Sequence, residues 1–148
     1  MDKISEHISY IEATRSNTAL RRGIDNIPDV EEIENMRTIA TEVFEPLRKW
    51  VGGPVKINSF YRSPELNVAI GGSTKSQHCH GQAIDIDDTY GGKFTNLNAE
   101  IFKYVRYHLQ FDQMIWEFGD DDNPAWVHIS YVNEEDNRQR CLKAYKKD

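Results

Sequence analysis

The stretch QMIWEFGDDDNPAWVHISYV, residues 113–132, decides the fold. QMIWEFG and WVHISYV carry the aromatic, branched and alternating residues of two strands, and DDDNPA between them is turn chemistry. The pair predicts a β-hairpin. On its second strand Val127 and Ile129 point one way, and His128 and Ser130 the other. A turn centred between Asp122 and Asn123 would set Glu117 directly across from His128, with β-carbons about 5 Å apart. A slip of two in the summed residue numbers keeps that pair on one face; a slip of one separates it.

Outward from the hairpin, AIDID (83–87) and VKINSF (55–60) alternate as half-buried strands, and RCLKAYK near the C-terminus predicts a weak edge strand. Apolar residues at helical spacing run from Ile33 to Val51, between a start at Pro28 or Asp29 and a stop at Gly52-Gly53. Pro46 falls inside this run and predicts a kink or break. Further helices are expected over TNLNAEIFKYVRYHL (95–109), SPELNVAIGG (63–72) and Asn17–Arg22, the last closed by Gly23. Ser9 and Glu12 have capping-box spacing. Helices flanking a small, mostly antiparallel sheet make the class α+β. No repeat or linker divides the chain, so residues 1–148 are expected to form one domain.

The net charge of −6 argues against a nucleic-acid partner. No run is apolar enough to span a bilayer, and MDKISEHISYIEATR lacks the apolar centre of a secretory signal, so synthesis and retention in the cytoplasm are expected. Cys79 and Cys141 are too few for a disulfide scaffold, and a reducing cytosol makes them free thiols.

The chemistry gathers in SQHCHGQAIDID (76–87). Strand alternation puts Ile84 and Ile86 on one face, and Ala83, Asp85 and Asp87 on the other. An inward carboxylate is costly unless paired or bound to a cation. His78, joined to Asp85 through the turn at Gly81, supplies an imidazole beside that carboxylate, and both are zinc ligand types. His128 from the hairpin completes a His, Asp, His set whose open position marks a catalytic metal site. Glu117 beside it is the candidate base for the attacking water. Arg62, between a strand and a helix in FYRSPELN, offers fixed donors to an oxyanion or a carboxylate.

Each residue has a plainer reading. A histidine on an apolar strand is usually a hydrogen-bonded core residue; only the combination with His78 and Asp85 favours ligation for His128. His80 and Cys79 read as loop residues flanking the ligand direction, with His80 near substrate. Asp87 is either a partner of Asp85 or a strand-end carboxylate. Trp116, Phe118 and Trp126 read as packing. Asp120, Asp121 and Asp122 read as an acidic turn rather than a calcium loop.

SQHCHGQAIDI resembles the Ser-x-His-x-x-Gly-x-Ala-x-Asp signature of the zinc D-Ala-D-Ala carboxypeptidases, vancomycin-resistance dipeptidases and phage L-alanyl-D-glutamate endopeptidases, which share a small α+β fold with the hedgehog signalling domain. RSNTALRRGIDNIP, EPLRKWVGGPVKINSFYRSPELN, AIGGSTKSQH and WEFG…NPAWVHISY extend the likeness, toward a compact phage and prophage branch, over nearly the whole chain. The resemblance implies His78, Asp85 and His128 as zinc ligands, Arg62 at the transition state or a substrate carboxylate, and Ser76 against substrate. In the best-known members the catalytic acid stands three residues before the last histidine, where this chain has Ala125. The hairpin nominates Glu117 instead, with Asp121 and Asp122 as runners-up.

The expected activity is hydrolysis of an amide in the peptide stem of bacterial peptidoglycan, by a monomer that neither nucleic acid nor membrane engages. A phage endolysin, released to the wall by a membrane-permeabilising partner, fits that expectation. The alternatives are an inactive wall-binding or particle module of the same fold, and a cytosolic D,D-dipeptidase.

Overall fold

The computed structural model describes residues 2–89 and 96–144. Within them β1 (Lys3–Ser5) and β2 (Ile8–Ser9) form a small antiparallel ribbon, followed by α1 (Tyr10–Thr14) and α2 (Asn17–Arg22). The capping box at Ser9 and Glu12 is present, and Gly23 closes α2 with a left-handed φ of 64°. The long helical run divides into α3 (Val30–Ile39), a π-helical turn (Ala40–Phe44) and α4 (Glu45–Val51). Pro46 explains the division. A proline ring collides with the carbonyl four residues before it, and the widened turn, in which the Glu45 amide reaches Ala40, makes room.

There follow β3 (Val55–Ser59), α5 (Pro64–Ala69), a 3₁₀ turn (Gln77–His80), β4 (Ala83–Asp88), α6 (Leu97–His108), β5 (Gln113–Glu117), β6 (Trp126–Ser130) and β7 (Arg140–Ala144). The expected helix start at Thr95 and the strand's continuation at Tyr145 and Lys146 lie outside the described residues. The main sheet has the order β3-β4-β6-β5-β7 and is antiparallel except at its β5–β7 edge, which is parallel. The class is α+β.

The sheet has a wet face and a dry one. Ile84, Ile86, Met114, Val127 and Ile129 point to the dry face and join the core with Ile39, Val43, Leu47 and Ile101 of the helices. Burial of those side chains contributes about 1.5–3 kcal/mol each against the chain entropy of folding. Asp85, Ile115, Glu117 and His128 stand on the opposite face by strand alternation. The core thus holds the plane on which the polar residues are arrayed. Among the described residues, no helix is long and apolar enough to cross a membrane.

Candidate metal centre

β4 and β6 are neighbours in register, with Asp85 directly opposite His128, so the two side chains meet across one ladder rung. His128 Nδ1 lies 2.8 Å from Asp85 Oδ1. His78 arrives from the 3₁₀ turn, whose end at Gly81 has a φ of 71° that suits glycine. A β-carbon at Gly81 would stand 2.4 Å from the Glu32 carbonyl oxygen of α3, so the turn also needs glycine to approach that helix.

The exit of β3 clamps the turn. Arg62 N donates to the His78 carbonyl at 3.2 Å, and His78 Nδ1 lies 2.7 Å from the Phe60 carbonyl. A carbonyl only accepts, so Nδ1 carries the hydrogen and Nε2 is left to face the site. That Nε2 is buried and makes no hydrogen bond, although Asp85 Oδ2 is only 3.2 Å away. In a buried site two such groups settle together only with a proton or a metal cation between them. Burial pushes the Asp85 carboxyl up, but His78 and His128 override it and hold the group well below the usual carboxylate range.

Ligand atoms of His78, Asp85 and His128 lie within 4.8 Å of one another. Ligands of a tetrahedral zinc ion at bond lengths near 2.0–2.1 Å stand about 3.3 Å apart, close to the 3.2 and 2.8 Å contacts seen here. The donor set, its orphaned nitrogen and its spacing fit a zinc ion.

The trio opens into a cleft of about 580 Å³ whose lining includes Arg62, Ser76, Glu117, Trp126 and His128. Ser76 Oγ accepts from the His78 amide at 3.3 Å and from Arg62 Nη2 at 3.4 Å, so it caps the 3₁₀ turn and steadies the guanidinium. Burial lowers the Arg62 pKa while Asp85 opposes the shift. Glu117 is half-buried, and burial raises its carboxyl above the ordinary value, with His128 opposing and Asp85 adding to the rise.

The hairpin register corrects one expectation. Ile115, not Glu117, is directly across from His128, and Glu117 pairs with Trp126. The turn is centred one residue earlier because Phe118 adopts a left-handed φ of 55° at once after β5, and Asp120 Oδ1 accepts from the Asp122 and Asn123 amides. The summed register moves by two, so Glu117 keeps the face of His128 but stands diagonal to it. Asp121 and Asp122 are exposed on the turn and do not line the cleft. Asp87 accepts from Asn98 Nδ2 at 2.7 Å, the strand-end reading rather than a partner of Asp85. His80 is exposed and outside the cleft lining, and burial raises the Cys79 thiol, which keeps it protonated. Both cysteines are free.

Sequence reasoning missed the network behind the cleft. Asp112, 2% exposed, accepts from the Arg138 amide, from Arg138 Nε and Nη2, and from Gln77 Nε2 at 2.9–3.0 Å. Gln77 and Arg138 both line the cleft. Asp112 sits in HLQFDQ with no spacing to mark it. A second grouping of metal-ligand types, Glu6, His7 and Glu45, is mostly exposed, and Glu45 is engaged by Ser5 and His7, which tie the first ribbon to α4.

A family model described as Peptidase M15 spans residues 6–130 and matches this chain. The chain belongs to that family. No curated protein matches it. M15 peptidases are zinc metallopeptidases, so the chain falls among the hydrolases, and Arg62, Ser76, His78, Asp85, Glu117 and His128 all lie within the matched span.

Proposed function

We propose that this M15 peptidase hydrolyses an amide bond in the peptide stem of bacterial peptidoglycan, with zinc held by His78, Asp85 and His128. The observation that carries the reading is the buried, unpartnered His78 Nε2 facing the Asp85 carboxylate beside His128, in a cleft that also holds Glu117 and Arg62. When bound there, a zinc ion would supply Lewis acidity toward a water and a carbonyl.

This chain's own residues do the rest. Phe60 fixes the tautomer of His78 through its carbonyl, and Asp85 bridges toward both imidazoles. Glu117 takes a proton from the attacking water at its carboxylate and returns it to the leaving amine; burial suits it to hold that proton briefly. Arg62, steadied by Ser76, donates to the developing oxyanion or to a substrate carboxylate. The likeness of SQHCHGQAIDI and RSNTALRRGIDNIP to the phage and prophage branch supports an endolysin that meets the wall after release.

Incubation of the zinc-loaded protein with purified peptidoglycan, followed by labelling of new amino termini and mass analysis of the fragments, tests the reading. The expected result is stem-peptide cleavage that chelation or His128→Ala abolishes. Full activity after either treatment refutes it, and so does wall binding with no new amino termini, the behaviour of an inactive module.

A further inference from the structure

Arg62 lines a second cavity as well as the metal cleft, one of about 420 Å³. One wall is the link between α1 and α2, with Arg15 and Ser16; another is β3, with Lys56 and Asn58; apolar Leu66 comes from α5 and Ile70 from just past its end. Its charge runs against that of the molecule. The chain carries −6 overall, yet Arg15, Lys56 and Arg62 face a single lining carboxylate, Glu12. Glu12 is committed to its capping box, where it accepts from the Ser9 amide and hydroxyl at 3.2 Å. The side chains of Arg15 and Lys56 have no hydrogen-bond or ion-pair partner among the described residues. Asp87 stands opposite Lys56 in the ladder, but its carboxylate is held by Asn98 and makes no ion pair with the lysine. Unpaired cations around one concavity attract an anionic ligand.

The backbone indicates which anion. β3 is an edge strand, paired with β4 on one side and with no strand on the other among the described residues. Lys56 and Asn58 on it are exposed. A free edge inside a cavity suits an extended peptide, whose main chain supplies the missing hydrogen bonds while flanking charges select its side chains. Ser59, which lines the cavity, pairs in register with Asp85, so the groove ends one ladder step from the metal centre.

We propose that this cavity is a second subsite, which takes an acidic, extended peptide segment along the free edge of β3, with carboxylates against Arg15 and Lys56, as the same segment passes Arg62 into the metal cleft. The inference rests on the peptidase reading for the identity of that segment: the carboxylate-bearing stem peptide.

The test uses the full chain, wild type and the double variant Arg15→Glu, Lys56→Glu, with complete stem peptides and with stem peptides trimmed to the residues flanking the scissile bond. Charge reversal is expected to raise KM for the complete peptide about tenfold at low salt while kcat holds. Trimmed peptide should show no change, and 0.5 M salt should weaken only the wild type. On titration of the zinc-loaded Glu117→Gln variant, which keeps the metal and consumes the peptide too slowly to interfere, with complete peptide, the NMR amide signals of Lys56, Asn58 and Ser59 are expected to shift. Stem cleavage that ignores the charge reversal, with those signals unmoved, overturns the subsite and leaves the peptidase reading standing. Shifts at those amides with no cleavage by the zinc-loaded wild type keep the subsite and overturn the peptidase reading.

Discussion

Removal of the Asp112 carboxylate measures how much of the cleft's rear wall depends on one buried acid. In Asp112→Ala four donors lose their acceptor: the Arg138 amide, Arg138 Nε and Nη2, and the Gln77 amide nitrogen. The Arg138 side chain is 53% exposed, so water replaces its two bonds, and their loss costs at most about 1 kcal/mol together. The other two donors are partly buried, and each unmet one costs about 1 kcal/mol or somewhat more. The sum is about 3 kcal/mol, or a fall of about 1–2 M in the urea midpoint at an ordinary denaturant slope. The hydrogen bonds from Arg138 hold Asp112 below its ordinary value. Stability from a depressed carboxyl is complete above its unfolded value, about 3.9, and drains away as pH falls through the folded one. The gap between wild type and variant, read by urea titration followed by fluorescence, should therefore be flat from pH 7 to about pH 5 and close below about pH 4. A gap under about 0.5 kcal/mol at neutral pH, or one that does not change with acid, would refute the reasoning.

Glu117→Gln is expected to lower hydrolysis by about 10²- to 10⁴-fold while bound zinc, measured by metal analysis, stays at the wild-type level. His78→Ala should lose zinc, and with it the rise in melting temperature that zinc gives the wild type, about 4 kcal/mol at a thousandfold excess over the dissociation constant. A zinc-dependent rise that survives in His78→Ala counts against the ligand set. Gly81→Ala should cost about 2 kcal/mol or more in urea unfolding, because it combines a left-handed backbone with a β-carbon 2.4 Å from the Glu32 carbonyl oxygen.

What was legible in the sequence is what is local. His78, Gly81 and Asp85 share one short window, and strand alternation puts Asp85 on the wet face without any knowledge of its neighbours. Pro46 marked the break between α3 and α4 because its clash is with its own helix. The two- and three-residue strands of the first ribbon carry too little pattern to read. The adjacency of β4 and β6, which puts Asp85 beside His128, is a matter of sheet order, and no residue spacing encodes it. The Asp112 network joins three segments far apart in the chain and was invisible for the same reason. The hairpin register failed on one residue, Phe118, whose left-handed backbone nothing in its type announces.

That register has a chemical consequence. A carboxylate directly across from His128 would have its β-carbon about 5 Å away and would reach the metal position as a fourth ligand, filling the place a water needs. Ile115 occupies that rung instead, so the nearest cross-strand neighbour of His128 on β5 has no donor atom to offer. Glu117 is one diagonal step further, where cross-strand separations are about 7–8 Å. It remains on the same face and lines the same cleft. A ligand and a base need different distances from one ion. In the proposed mechanism an antiparallel ladder provides both on one face by moving the carboxylate two residues along its strand.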